Sequence, residues 1–261
     1  MKVAIVGYGR MGRAIEQVAL SRGHDVRALI DPALTPESEG GIQPPTNAQL
    51  FTEVTGEALA DCDVAIEFSS PDAVMDNIGI YASSDVAAVI GTTGWHDHVA
   101  EAEKLWSGSE RGMVYGANFS IGAHLFLRTA AYASSLAADL ADYDLLIHEI
   151  HHGRKKDSPS GTALTLARYV MEAAPRKKSV QPDRLDGAAQ ETELHVSSSR
   201  GGSFPGTHTL YLDSEADTVE IRHQARSRHG FVTGAVTAAE WIRDRRGVFA
   251  VEAFITDLLG K

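Results

Sequence analysis

The chain has 261 residues, enough for one large domain or two modest ones. Its 35 acidic and 24 basic residues give a formal net charge of −11, which argues against a nucleic-acid-binding protein with a clustered basic surface. The sequence lacks an apolar run of the ~20 residues that a membrane helix needs. The single cysteine, Cys62, and an N-terminus without a signal-peptide pattern predict a cytoplasmic protein.

Strands and helices alternate in the predicted structure of the first 115 residues. The predicted strands are short and apolar, which suits a buried parallel sheet, and they lie at 3–6, 26–30, 64–68, 87–90 and 113–115. Helical patterns follow the first strand and fill 72–83 and 97–106. The stretch 32–50 contains four prolines and is predicted to be a loop. This alternation predicts a doubly wound α/β sheet with helices on both faces.

The pattern changes after residue 120. A long helix is predicted at 121–140, a strand at 145–150 and a helix at 161–173. Strand-like runs then follow one another at 192–199, 206–213 and 218–225, which favours a mostly antiparallel sheet. A helix at 231–245 and a short terminal helix end the chain. We therefore predict a dinucleotide-binding domain of 1–121 with 231–261, and a second domain of 122–230.

The first predicted strand ends in a glycine-rich motif, Gly7-Tyr8-Gly9-Arg10-Met11-Gly12. A G-x-G-x-x-G pattern is weak alone, but here it follows a strand and opens a helix. Gly7 permits the tight turn, Gly9 lets the backbone approach a pyrophosphate, and Gly12 allows close packing of helix on strand. The helix N-terminus then offers N–H groups to phosphates. We expect Arg10 and Met11 to belong to the same cofactor site.

Asp31 closes the second strand, 19 residues after Gly12. A carboxylate near this spacing typically accepts hydrogen bonds from the ribose hydroxyls of NAD and repels the 2′-phosphate of NADP. Pro32 follows directly, where a basic residue would favour NADP. The sequence therefore favours NADH, although Arg10 and Arg13 leave NADPH possible.

Small, polar or glycine-rich residues follow three successive strands of the predicted sheet. Ligands of open parallel sheets lie beyond the carboxyl ends of the strands. We therefore expect cofactor contacts from Phe68 and Ser69, from Gly91, Thr92 and Thr93, and from Ala117, Asn118 and Phe119.

The segment 149–163 concentrates histidines and basic residues in an otherwise acidic protein. Ser160 is a suitable N-cap for the helix that follows, and the N–H groups of Gly161 and Thr162 then suit a carboxylate. Lys155 and the neighbouring histidines add positive or donor groups, so the segment predicts a site for an anionic substrate. A second basic run at 222–229 is a candidate for the same pocket.

The segment also admits three other interpretations. His148, His151 and His152 are possible metal ligands, but on one strand His151 points opposite to the other two, so no metal is expected. Ser160 with a histidine suggests a hydrolase pair, yet the G-x-S-x-G motif is missing. The third interpretation is a solvated charged loop.

The same segment resembles the signature of the dihydrodipicolinate reductase family: Glu149-Ile150-His151-His152, then Lys155, then Asp157-Ser158-Pro159-Ser160-Gly161-Thr162-Ala163. Further matches lie at 7–13, 91–94, 117–120, 206–209, Arg228 and Phe231. The resemblance implies a Rossmann domain plus a smaller α/β domain with an open mixed sheet, assembled as a homotetramer. It also implies that His151 and Lys155 are the catalytic pair and that Arg228 and Phe231 contact the cofactor.

The activity that the resemblance implies is NAD(P)H-dependent reduction of a small cyclic dicarboxylate in lysine and diaminopimelate biosynthesis. It further implies that His152, Lys155, Gly161 and Thr162 hold the substrate carboxylates. Two other functions were considered. The first is a nicotinamide-dependent amino-acid or aldehyde dehydrogenase of similar two-domain build; its aldehyde-oxidising form would need a cysteine near the nicotinamide, whereas Cys62 precedes the third strand, at the wrong end of the sheet. The second is a nicotinamide-binding redox sensor without turnover, which would not need a proton donor at Lys155.

Overall fold

The structure is a computed structural model that describes residues 1–34 and 47–260. Its contacts divide the chain into two compact units. The first unit comprises Met1–Ser120 and His229–Lys261, and the second comprises Ile121–Arg228. Among the described residues, no helix is long and apolar enough to cross a membrane.

The described chain contains strands β1 Lys2–Val6, β2 Asp25–Ile30, β3 Gln49–Phe51, β4 Val64–Glu67, β5 Ala87–Ile90, β6 Gly112–Tyr115, β7 Asp144–His151, β8 Ser179–Pro182, β9 Glu193–Arg200, β10 Thr207–Asp213, β11 Thr218–Gln224 and β12 Gly247–Ala250. The α-helices are α1 Arg10–Ser21, α2 Gly56–Leu59, α3 Pro71–Ser83, α4 Val99–Trp106, α5 Ile121–Leu136, α6 Gly161–Ala173, α7 His229–Ile242 and α8 Val251–Leu259.

The first unit is built on a parallel seven-stranded sheet with the order β12-β6-β5-β4-β1-β2-β3. Both faces of its central strands are buried, which explains why their sequences are continuously apolar. Apolar residues of α3 and α4 pack on one face, while α7 contacts β4 and β5 and also packs against α1. This is the doubly wound order, in which the chain reverses direction across the sheet between β1 and β4. The predicted Rossmann-type fold is confirmed.

The second unit contains a five-stranded mixed sheet with the order β11-β10-β7-β9-β8. The strands β7, β9 and β8 run parallel, and β10 is antiparallel to both β7 and β11. The predicted mostly antiparallel sheet is therefore wrong for two of the four pairs of neighbouring strands, β7 with β9 and β9 with β8. The reason is that α6 carries the chain back across the sheet between β7 and β8. Apolar residues of α5 and α6 form the core with alternate residues of these strands.

The differences from the predicted elements lie at short strands and at helix ends. The edge strand β3 overlaps the end of the predicted loop 32–50, of which 35–46 lie outside the described residues. The strands β8 and β12 were not predicted, because four-residue strands at sheet edges carry little periodic signal. The helix predicted at 121–140 ends at Leu136, and that predicted at 231–245 ends at Ile242.

Candidate active site

The three glycines of the turn after β1 have different surroundings: two are tightly packed and one faces open space. Gly7 has a φ of +85°, and a Cβ atom there would lie 2.2 Å from the carbonyl oxygen of Phe68. A Cβ at Gly12 would lie 2.2 Å from the carbonyl oxygen of Gly7. A Cβ at Gly9 would meet nothing within 4 Å. The turn therefore needs Gly7 and Gly12 for its own packing, whereas Gly9 leaves the backbone open to a bound group.

The N-terminus of α1 carries the features of an anion site. Its N-cap is Gly9, which makes no side-chain capping bond, and its first turn contains no acidic residue. The side chain of Arg10 is exposed there, and Met11 is half-buried. Because the first N–H groups of a helix have no partner within the helix, this end can bind a phosphate.

Asp31 follows β2 and is bound to the glycine turn. Its Oδ2 accepts a hydrogen bond from the backbone N–H of Tyr8 at 2.7 Å, and its Oδ1 accepts one from Ala33 at 2.9 Å. Asp31 is half-buried. A carboxylate has about four lone-pair sites, so both oxygens can accept a further bond from a sugar hydroxyl. Asp31, predicted to bind the ribose, thus lies against the glycine motif.

The loops after β4 and β5 are joined to each other. The backbone N–H of Ser69 donates to Oγ1 of Thr92 at 2.8 Å. The ring of Phe68 covers Gly91 so closely that a Cβ there would lie 2.2 Å from it. Thr93, next in the chain, is exposed. These residues therefore lie together at the carboxyl ends of neighbouring strands, where the sequence predicts cofactor contacts.

A buried carboxylate holds the first of these loops in place. Glu67 is fully buried and accepts hydrogen bonds from Ser69, from Nδ2 of Asn77 at 2.9 Å and from the hydroxyl of Tyr81 at 2.8 Å. Burial raises the pKa of Glu67, and these three donors oppose that shift. Sequence reasoning missed this residue, although an acid at the end of an apolar strand was a visible signal.

The remaining residues predicted to bind the cofactor lie near the two chain crossings between the units. Ala117 is exposed after β6, Asn118 accepts a 2.8 Å hydrogen bond from the backbone of Ser120, and Phe119 is buried. Arg228 is exposed at the end of the second unit. Phe231 lies half-buried in the first turn of α7.

The histidine segment begins on β7, where buried and less buried residues alternate. The buried set changes from apolar to polar along the strand and consists of Leu145, Ile147, Glu149 and His151. Side chains two residues apart share one face of a strand. Glu149 and His151 are thus brought to the same buried face, at the end of the strand that leads toward α6.

Glu149 is the centre of this polar cluster and is fully buried. Its Oε1 accepts hydrogen bonds from the backbone N–H of Ser160 at 2.9 Å and from Nη2 of Arg200 at 2.7 Å. Its Oε2 lies 3.0 Å from Nδ1 of His151 and 3.4 Å from Nε2 of His208. One carboxylate therefore connects three strands and the first turn of a helix.

The pKa values of Glu149 and His151 are shifted by this environment. Burial raises the pKa of Glu149, but the nearby ring of His208 and the donors of Ser160 and Arg200 outweigh it and bring the pKa well below the ordinary carboxyl range. Burial lowers the pKa of His151 to about 4, and the charge of Glu149 opposes that shift only in part. At neutral pH the pair therefore consists of a carboxylate and a neutral imidazole.

Ser160 caps α6 as predicted. Its Oγ accepts a hydrogen bond from the backbone N–H of Ala163 at 3.2 Å and lies 3.1 Å from Nε2 of His208. The first turn of α6 has no acidic residue; Gly161 is exposed there and Thr162 is half-buried. Because Ser160 is buried and occupied as a cap, the geometry does not favour a nucleophilic serine.

Lys155 and His152 lie on the loop between β7 and α6. Nζ of Lys155 is 2.8 Å from a carboxylate oxygen of Asp157, and its side chain is 22% exposed. His152 has a buried Nδ1 that makes no hydrogen bond among the described residues. The loop that leads into α6 therefore carries a cation and an unsatisfied ring nitrogen.

The sequence predicts no metal site, because one strand cannot supply three converging ligands. In the structure a second strand, β10, supplies His208, whose ligand atom lies within 4.8 Å of those of Glu149 and His151. The guanidinium of Arg200, 2.7 Å from the same carboxylate, places a positive charge where a metal ion would bind. The charges thus favour an ion-pair network over a cation site.

Sequence comparison agrees with this geometry. The profile described as the N-terminus of dihydrodipicolinate reductase matches residues 1–119, and that described as its C-terminus matches residues 122–255. The chain belongs to the dihydrodipicolinate reductase family. The 4-hydroxy-tetrahydrodipicolinate reductase of Christiangramia forsetii is 36% identical over 260 residues, which cover 99% of each chain. That of Archaeoglobus fulgidus is 33% identical and covers 98% of this chain and all of its own.

A solved member of the family supports the same fold. The dipicolinate-bound dihydrodipicolinate reductase from Paenisporosarcina sp. TG-14 superposes with a TM-score of 0.75 over 97% of this chain and 98% of its own, at 24% identity. The likeness extends over both units, so the Rossmann-type sheet and the mixed sheet are both features of the family fold.

Two residues of the polar cluster had no role assigned from the sequence. They are His208, which belongs only to a stretch that matches the family, and Arg200. Both lie more than 50 residues from Glu149 along the chain, on strands that flank β7. No periodic pattern signals such a contact, because strand order decides it.

Proposed function

We propose that this protein reduces dihydrodipicolinate, formed from 4-hydroxy-tetrahydrodipicolinate, to tetrahydrodipicolinate with NAD(P)H, as a step of diaminopimelate and lysine biosynthesis. The observation that carries the proposal is the buried cluster around Glu149 and His151, which adjoins Lys155 and the N-terminus of α6. The full-length similarity to 4-hydroxy-tetrahydrodipicolinate reductases supports the same substrate.

The residues of the first unit fit a dinucleotide. The open space at Gly9 and the uncapped start of α1 suit a pyrophosphate, with Arg10 and Met11 beside it. Asp31 can accept hydrogen bonds from the ribose and would repel a 2′-phosphate. We therefore propose NADH as the preferred cofactor, with NADPH as a possible alternative.

The other cofactor contacts are proposed at the strand ends of the same sheet. The surface formed after β4, β5 and β6 offers backbone groups to the nicotinamide ribose and carboxamide. Its residues are Phe68, Ser69, Gly91, Thr92, Thr93, Ala117, Asn118 and Phe119. Arg228 and Phe231 are proposed from the family resemblance alone.

The second unit supplies a site for a dicarboxylate. One carboxylate would bind the N–H groups of Gly161 and Thr162 at the start of α6, where Ser160 fixes the helix end. Lys155 would form an ion pair with the substrate in place of Asp157, and the unsatisfied Nδ1 of His152 offers one more polar contact. A ring with two carboxylates thus finds groups of matching charge.

A bound nicotinamide would supply the hydride, which adds to C4 of the substrate ring. Electron density then moves through the conjugated system toward the ring nitrogen, and a proton must be added at C3. Lys155 opposes the developing negative charge and supplies or relays that proton together with His151. The residues of the chain thus position the ring and handle the proton.

A direct assay tests the proposal. The purified protein is mixed with NADH and freshly formed product of dihydrodipicolinate synthase, and NADH absorbance is followed. We expect oxidation of NADH that depends on that product and is inhibited by dipicolinate, a planar dicarboxylate. Absence of turnover with both NADH and NADPH would refute the proposed function.

We also propose that the protein is a cytoplasmic homotetramer assembled through the second unit. One face of its sheet packs on α5 and α6, whereas Leu146, His148 and Ile150 on the opposite face are only partly buried. The neighbouring strand β11 exposes Val219. A sheet face of this kind suits a second copy of the chain. Sedimentation velocity would measure the oligomeric state, and a monomer would contradict the proposal.

A further inference from the structure

The sequence motif and the proposed reaction do not explain the contacts of the Glu149 carboxylate. Its two oxygens have different neighbours. Oε1 is taken by two fixed donors, the backbone N–H of Ser160 and the guanidinium of Arg200. Among the described residues, Oε2 makes no hydrogen bond, and it lies 3.0 Å from Nδ1 of His151, which is also without a hydrogen-bond partner, and 3.4 Å from Nε2 of His208.

An ionised oxygen that faces a neutral imidazole favours a proton on the nearer ring nitrogen, because a lone pair there would be repelled. The nearer nitrogen of His151 is Nδ1, so its proton lies there and Nε2 carries the lone pair. The rings of His151 and His208 stand edge to face with centroids 5.1 Å apart, which restricts rotation of His151. Both rings are buried, so water does not compete for Nδ1.

We propose that Glu149 is a positioning residue of the reductase: it fixes His151 in the Nδ1–H tautomer, so that Nε2 is the atom that exchanges a proton with Lys155 or the substrate. The tautomer of His151 is inferred from the geometry of the second unit alone. The proton exchange at Nε2 rests on the proposed function. It is the same division of roles by which a buried carboxylate orients the histidine of a serine protease.

The substitution Glu149→Gln distinguishes this role from simple packing. Arg200 and the N–H of Ser160 both donate, so the introduced amide must turn its oxygen toward them. Its NH2 group then faces His151 and His208. A donor at that place favours the opposite tautomer, with the proton on Nε2. We expect kcat to fall about 100-fold or more, the scale of a lost acid–base group, while the Kd for NADH stays within about twofold.

The tautomer is measured directly by magic-angle-spinning NMR of protein labelled with 15N-histidine, with the His151 signals assigned from a His151→Gln sample. We expect Nδ1–H in the unaltered protein and Nε2–H in Glu149→Gln. Asp213→Asn, which removes an exposed carboxylate on β10, is the matched control and should change neither tautomer nor kcat.

The outcomes are separable. An Nε2–H tautomer in the unaltered protein overturns the inference, even if Glu149→Gln does not fold. A Glu149→Gln protein with kcat within about threefold of the unaltered protein also overturns it, because a lost acid–base role costs far more. If the unaltered protein has no reductase activity, the proposed function is wrong. The NMR measurement still determines the tautomer of His151 in that case.

Discussion

The carboxylate of Asp31 accepts a 2.7 Å hydrogen bond from the backbone N–H of Tyr8, inside the glycine turn. The acid proposed to bind ribose and the turn proposed to bind pyrophosphate are therefore one rigid element. Substitutions at Asp31 should affect both the choice of cofactor and the order of the turn.

We predict that Asp31→Ser weakens NADH binding about tenfold, since one good hydrogen bond to a charged group contributes about 1.5–3 kcal/mol. Binding of NADPH should weaken less or improve, because the repulsion of its 2′-phosphate is removed. Isothermal titration with both cofactors measures the ratio. Asp25→Asn, at the opposite end of β2, serves as the control and should leave it unchanged.

Gly9→Ala should impair binding of the dinucleotide, whereas Gly12→Ala should lower the stability of the fold. A Cβ at Gly9 meets open space and the residue has a φ of −76°, so the variant should fold with stability within about 1 kcal/mol but bind the dinucleotide poorly. A Cβ at Gly12 would lie 2.2 Å from a carbonyl oxygen, so this variant should lose stability by 2 kcal/mol or more, on the order expected for overpacking. Thermal melts and NADH titrations compare them. Equal behaviour of the two variants would contradict the role given to Gly9.

Lys155→Ala or His151→Ala should lower kcat by on the order of 10²–10⁴, because each removes a group that supplies or relays the proton. Binding of NADH should be nearly unchanged, since neither side chain belongs to the first unit. Steady-state kinetics and NADH titration measure the two quantities. Lys156→Ala, an exposed neighbour, is the control. Near-full turnover of both variants would show that the catalytic assignment is wrong.

Stability should decrease as the pH falls from about 6.5 to 4. Burial lowers the pKa of His151 from 6.5 to about 4. In this pH range the imidazole is therefore protonated in the unfolded chain but not in the folded chain. Stability conferred by neutral His151 is present above pH 6.5 and is lost on acidification, by on the order of 2 kcal/mol. Urea unfolding at several pH values measures the slope. His151→Gln should show a shallower slope, and an equal slope would contradict the shift.

Cys62 should be unreactive toward alkylation at about pH 8. Burial raises the pKa of its thiol to about 11, and Asp61 and Asp63 add to the shift. Less than about 1% of it is then thiolate at that pH. Mass spectrometry after brief iodoacetamide treatment of folded and urea-unfolded protein tests this. Rapid labelling of Cys62 in the folded protein would contradict the prediction and would support the alternative function of a dehydrogenase with a cysteine nucleophile.

Much of the site could be predicted because its signals are local in the chain. The spacing of Gly7, Gly9 and Gly12, and the cap at Ser160, depend on backbone conformation over a few residues, and alternation along β7 places Glu149 with His151. The contacts made by Arg200 and His208 could not be predicted in this way, since they depend on which strands lie beside β7.

The sequence by itself determined the parallel sheet, the glycine turn and the N-cap of the second site, because apolar periodicity and backbone freedom are properties of short segments. Only the tertiary structure decided that one buried carboxylate, Glu149, would face two histidines and an arginine. The physical reason is that a charge deep in a protein needs several partners, and strand order brings those partners from distant parts of the chain.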